Sequence, residues 1–180
     1  VCGVQFVRQT SDGGFILTAQ LPYTDGGILL RKTDSLGETE WDKSYGINSG
    51  ALGHCVQLTS DGGYVVTKRS TSCTWAIGTE EGGTIKFDAR IIKLDEQGNV
   101  LGAKPFGRNE SSGPDSIIQT KGGGYVVTGW TPSKGHEGAW IFKLDEQGNV
   151  LWKKTFGENE LDRANSIVQT KDGGYALAGK

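Results

Sequence analysis

Histidine occurs twice in the 180 residues, at His54 and His136, and cysteine three times, at Cys2, Cys55 and Cys73. Imidazole and thiolate are the groups that most readily move protons or attack carbonyls near neutral pH, so these five positions bound the nucleophilic chemistry open to the chain. No G-x-S-x-G elbow accompanies them, and an odd cysteine count without CxxC spacing specifies neither a zinc site nor a disulfide framework. A single Cys55–Cys73 or Cys2–Cys55 bridge stays open for an exported chain. Carboxylates offer a second chemistry. Glu80, Glu81 and Glu137 stand beside Trp75, Lys86 and His136 in segments without strand character, and two such acids about 5–9.5 Å apart across a cleft would hydrolyse a glycosidic bond. Calcium would be a third use of the phrases DGG and DEQGN. A calcium loop draws six to eight oxygens from alternating positions, and DEQGN is too short a turn for that. Neither a metal nor a cofactor is expected.

What must position these residues is an array. SDGGF (Ser11–Phe15) returns as SDGGY (Ser60–Tyr64), KGGGY (Lys121–Tyr125) and KDGGY (Lys171–Tyr175). KLDEQGNVL occurs letter for letter at Lys93–Leu101 and Lys143–Leu151, with a worn copy at Lys32–Glu40. Asp12 to Asp61 spans 49 residues and Gly122 to Asp172 spans 50, whereas Asp61 to Gly122 spans 61. The unit is therefore about fifty residues, with an insertion of about eleven in the second copy. Three whole units, 1–46, 47–107 and 108–157, precede a half unit, 158–180.

Within a unit the apolar pattern alternates with period two. In the third, Ser116–Thr120 and Tyr125–Trp130 read as strands A and B about a glycine turn. Ala139–Leu144 reads as strand C, apolar on both faces, and Val150–Phe156 as strand D, whose Lys153 and Lys154 suit an exposed edge. No 3.6-residue apolar period occurs, and the expected content is fourteen strands. In both turn phrases the simplest role for Asp is to hydrogen-bond its own turn, with glycine supplying positive φ. That makes Asp34, Asp95 and Asp145, with Gly37, Gly98 and Gly148, structural residues. Cys55 aligns with Ser116 and Ser166 on strand A and reads as a small buried residue. His54 aligns with Asp115 and Asn165, just ahead of that strand, where a polar side chain would tie down the loop.

Four-stranded antiparallel units of this length point to an all-β fold, a β-propeller of three blades and a half, with the A strands near Val7, Val56, Ile117 and Ile167 lining the axis. The phrase Phe142-Lys143-Leu144-Asp145, followed by Gly148 and Trp152, resembles the tryptophan-docking signature of quinoprotein-like propellers. The whole unit is similar to propeller repeats of bacterial and archaeal surface proteins. The resemblance implies that Trp41 and Trp152 dock between adjacent blades; Gly102 stands at the equivalent place in the second unit. Thr59–Gly63 also resembles the opening of the Asp-box of sialidase-type propellers, but Val65 and Val66 follow where a Thr-Trp pair belongs, and no arginine triad is present.

Short repeated turns fall on one rim of such a fold and the variable connections on the other. Those connections are Gly46–His54, Gly107–Asp115, Gly157–Asn165, Ala19–Gly27, Lys68–Ala89 and Gly129–Gly138. They carry the candidate ligand-binding residues Tyr23, Trp75, Glu80, Glu81, Arg108, Asn109, Trp130, His136 and Glu137, because binding groups concentrate on loops held by a rigid scaffold. Net charge is −2 with signs interspersed, which leaves no footprint for nucleic acid or an anionic membrane, and no apolar run nears the ~18 residues of a span. The expected function is a non-catalytic binding or scaffolding propeller for protein or glycan, in an extracytoplasmic setting. The alternative is a glycan-active hydrolase or lyase using the rim carboxylates. No signal peptide occurs, and the absence of methionine suggests a processed product or a piece of a longer chain. The last hairpin lacks C and D strands, which fits best a segment of a larger ring, and otherwise a homodimer or a small four-bladed ring with a half-built blade.

Overall fold

The computed structural model describes residues 3–21, 27–46, 52–73, 85–107, 113–133, 136–157 and 162–180, and within these all side chains but those at 52–54, 70–73, 85–88, 107, 131–133 and 136–137. Fourteen strands follow one another. They are β1 (Val4–Gln9), β2 (Phe15–Gln20), β3 (Ile28–Thr33), β4 (Thr39–Tyr45), β5 (Leu52–Leu58), β6 (Tyr64–Cys73), β7 (Ile85–Leu94), β8 (Val100–Gly107), β9 (Gly113–Gln119), β10 (Tyr125–Ser133), β11 (His136–Leu144), β12 (Val150–Phe156), β13 (Ala164–Gln169) and β14 (Tyr175–Gly179). They form three four-stranded meanders, β1-β2-β3-β4, β5-β6-β7-β8 and β9-β10-β11-β12, and the hairpin β13-β14. All pairs are antiparallel, and no helix occurs among the described residues. The first strands of successive sheets, β1, β5, β9 and β13, lie against one another in that order. This succession is consistent with blades of a propeller-like fold.

Alternation explains where the core sits. On β6, Val65 faces the third sheet, while Tyr64 and Val66 face the first; on β10, Tyr125 and Val127 face the second sheet and Val126 faces the hairpin. A middle strand buried on both faces cannot alternate apolar with polar, and so B and C strands read as near-continuous apolar runs. The fourth strands are the exposed edges: every residue of β12 is open to solvent. Of the four residues expected at the axis, Val56, Ile117 and Ile167 are buried, but Val7 is 51% exposed.

The repeated phrases are turns held by their own side chains. Asp12 Oδ1 accepts from Gly14 N at 3.0 Å and from Thr10 Oγ1 at 2.5 Å, and the lysine of the C strand reaches across: Lys32 Nζ lies 2.8 Å from Asp12 and Lys93 Nζ 2.9 Å from Asp61. In the third copy Gly122 replaces the acid, Lys143 Nζ donates to Thr120 Oγ1 at 2.6 Å instead, and burial pushes its pKa down. In the second phrase Asp95 takes both the backbone and the side-chain amide of Asn99, at 2.7 and 2.8 Å, and Asp145 does the same with Asn149, both at 2.7 Å. Asp34 accepts from Leu36 N and Glu38 N, both at 2.9 Å. Gly37, Gly98 and Gly148 take φ of 88°, 76° and 80°. Each of these aspartates thus hydrogen-bonds within its own turn.

These turn carboxylates set an acid limb of stability. Hydrogen bonds from Lys32 and then Thr10 hold Asp12 below the ordinary carboxylate range; those from Thr59 and then Lys93 bring Asp61 down to about 2. A depressed folded-state pKa contributes stability in full above the unfolded value of about 4, and loses it as pH falls through the folded value. The thermal midpoint is therefore expected to fall between about pH 4 and about pH 2, and an Asp12→Asn, Asp61→Asn double variant to show a flatter profile there. Identical slopes for the variant and the parent would exclude these carboxylates as the titrating groups.

Successive sheets are tied at the rim of the short turns. Gln119 Oε1 of β9 accepts from Ser60 N at 2.7 Å, and Gln169 Oε1 of β13 accepts from Lys121 N at 3.0 Å. On the outer strands, Lys43 Nζ donates to Asn99 Oδ1 at 2.6 Å and Lys104 Nζ to Asn149 Oδ1 at 2.7 Å. Trp41 projects from the first sheet onto the second, edge-on to Tyr64 with centroids 6.1 Å apart, and a Cβ on Gly98 would lie 2.8 Å from its ring. Trp152 repeats the placement against Tyr175 at 6.3 Å, and is 37% exposed.

Two connections are shorter than expected. The segment 68–89 pairs as far as Cys73↔Ile85, and 129–138 as far as Ser133↔His136. Thr71, Ser72, Thr131 and Ser133 prolong the hairpins by backbone ladder bonds rather than by apolar alternation, the signal on which the loop reading rested. His136 and Glu137 are strand residues opposite Ser133 and Pro132, not loop residues.

Candidate functional site

The inner strands share a feature at the end away from the short turns. Register slips by one residue between Val4 and Phe6, Gly53 and Cys55, Pro114 and Ser116, and Ala164 and Ser166. The extra residue in each sheet is Gln5, His54, Asp115 or Asn165. A bulge re-aims a side chain and sharpens local twist, and here it occurs four times at one repeat position, always on a polar residue. His54, expected just ahead of its strand, is thus inside β5. A bulge adds one residue to a strand without adding a turn signal, so the sequence reads it as loop.

Beside the bulges, one B-strand position diverges: Gln20, Arg69 and Trp130, with Lys180 just past β14, fall at equivalent places in the four units. Trp130 pairs with Gly113 on one side and Ala139 on the other. It is half-buried, with the guanidinium of Arg69 5.5 Å and that of Arg163 4.8 Å from its ring centroid. Gly113 is required under the ring, because a Cβ there would stand 2.6 Å from Trp130 Nε1. One step inward, Lys68 lies directly across the ladder from Arg90. Burial, and then the neighbouring Arg90 charge, lower the Lys68 pKa. Like charges opposite each other in a sheet are unfavourable; by the alternation of β6 these two face the first sheet, whereas Arg69 faces the third, so that the platform itself is Arg69, Trp130 and Arg163. Cation–π geometry of this kind is worth about 0.5–2 kcal/mol per pair.

Of the candidate ligand-binding residues, the structure brings Trp130 into this cluster. Tyr23, Trp75, Glu80, Glu81, Arg108 and Asn109 lie outside the described residues, as do the side chains of His136 and Glu137. The cations Lys68, Arg69, Arg90 and Arg163 were not singled out by sequence reasoning. The available signal was their position: all four stand in, or next to, the variable B-C and D-A connections.

Cys55 is a free thiol, wholly buried, and burial raises its pKa to about 11. Both bridges left open above required it, so neither forms, and a buried thiol at that pKa is no nucleophile. Among the described residues no group of three or more His, Cys, Asp and Glu side chains converges as metal ligands do. No helix among the described residues is long and apolar enough to cross a membrane. Comparison with protein-family models finds no match, and neither does comparison with curated proteins.

Proposed function

We propose that the chain is a non-catalytic binding module of β-propeller type, whose variable end captures an acidic glycan. The observation that carries this reading is Trp130 held between Arg69 and Arg163. An indole face stacks on the apolar face of a pyranose, and guanidinium groups bind carboxylates through paired, charge-assisted hydrogen bonds. The rigid sheets beneath supply the preorganisation that weak polar contacts require.

The same reading includes an extracytoplasmic location, where such glycans occur, and closure of the sheets around an axis, within one ring or with a second copy. The inner-strand succession β1, β5, β9, β13 and the seating of Trp41 against Tyr64 support the propeller and its likeness to tryptophan-docking quinoprotein-type blades.

A glycan array tests the function. Uronate- or sialate-bearing glycans are expected to bind and their neutral counterparts to bind more weakly. Trp130→Ala and Arg163→Ala should each weaken capture tenfold or more, about 1.4 kcal/mol, while salt weakens it further. Equal signals for acidic and neutral glycans, or an unaffected Trp130→Ala variant, would refute it.

A further inference from the structure

The second and third sheets meet around a place that an indole fills elsewhere in the same molecule. In the first interface Trp41 occupies the space between the outer strand and the next sheet's Gly98 turn, with Tyr64 beside it. In the second interface the equivalent residue is Gly102, and a Cβ there would meet nothing within 4 Å. The tie between the outer strands is the same in both: 2.6 Å for Lys43 to Asn99 and 2.7 Å for Lys104 to Asn149. In the second interface Ile91 reaches the turn in place of the ring, a Cβ on Gly148 lying 3.1 Å from its Cγ2, and the space outside Ile91 stays open beside Gly102.

This recess of about 520 Å³ has Ile91, Gly102 and Tyr125 among its apolar lining and Lys93, Lys104 and Glu146 among its polar lining. That lies within the ~300–1,000 Å³ of small-molecule sites. Its walls suit a flat ring: Tyr125 holds the repeat position of Tyr64, the partner that Trp41 meets edge-on, and Ile91 is an apolar base. Apolar cavities left by a missing side chain bind the molecule that restores the lost contacts.

We propose that this recess is a binding site for a small planar aromatic molecule of indole size. It is separate from the Trp130 platform and independent of what that platform binds.

Indole itself is the probe, titrated to about 5 mM, the range of a weak fragment, into the intact isotope-labelled chain. Expected are saturable amide shifts at Gly102, Ala103, Tyr125 and Gly148, weakened at least tenfold in Gly102→Trp, whose own ring takes the place. Should that variant fail to fold, Gly102→Leu serves as the blocking substitution with the same expectation. Absence of shifts at these amides, shifts confined to the surroundings of Trp130, or equal affinity in the blocked variant would each overturn the proposal.

Discussion

Trp140→Ala is expected to cost about 3–5 kcal/mol of stability, the largest effect of any single truncation in the molecule. Trp140 is 1% exposed. It packs edge-on to Phe142 at 4.9 Å and to Phe106 at 6.0 Å, and those two rings meet each other at 5.6 Å. Three interlocked rings join the second sheet to the third, and removing the central one leaves a cavity that neither sheet can close alone, because their backbones are fixed by ladders. The thermal midpoint should drop by roughly 6–20 °C. Trp140→Phe is the control: it keeps a ring in place, and the indole Nε1 meets no acceptor among the described residues, so its loss should cost only about 1 kcal/mol. Chemical denaturation that gave less than 1 kcal/mol for the alanine variant would show that the rings are not the joint between the sheets.

Gly63→Ala should cost about 3 kcal/mol, whereas Gly174→Ala should cost under about 1 kcal/mol, although both are the second glycine of the same phrase. A Cβ on Gly63 would stand 2.3 Å from the carbonyl oxygen of Leu94, the end of the neighbouring C strand. Gly14 and Gly124 face Thr33 O and Leu144 O at 2.1 and 2.3 Å in the same way. Backbone cannot yield as a side chain does, so the hairpins would have to part. Gly174 has no C strand beside it; its nearest neighbours are the Thr170 hydroxyl at 3.1 Å and the Asp172 carboxylate at 3.3 Å. Comparable losses for the two variants would mean that the phrase needs its second glycine for conformation rather than for strand approach.

Much of the fold is legible because it is written in repeats. A DGG or GGG phrase marks each A-B turn, a D-x-x-G phrase each C-D turn, and Tyr125–Trp130 or Ala139–Leu144 can only be strands buried on both faces. What the sequence conceals is whatever lacks an apolar signature. Thr71, Ser72 and Ser133 extend hairpins through backbone bonds alone, and Gln5, His54, Asp115 and Asn165 look like loop because a bulge breaks the alternation at its first step. The candidate site is less legible still. Trp130 stands out as an aromatic at the variable end, but nothing in sequence says that Arg69, 61 residues earlier, and Arg163 converge on it. That convergence is a product of sheet stacking, which brings equivalent positions of different units side by side.

The inter-sheet ties have a consequence for how such a chain changes length over generations. The glutamine clasp joins the second sheet to the third and the third to the hairpin, and the lysine–asparagine tie joins the first to the second and the second to the third, each in one standard form, like couplings on identical carriages. A gene duplication or deletion that respects the fifty-residue frame therefore creates a new junction that is complementary from the outset, with no compensating mutation needed. Growth and loss of whole units are close to neutral for such an array, while selection acts on the residues that differ between copies: Arg69 against Trp130 at the variable end, and Gly102 against Trp41 at the outer edge.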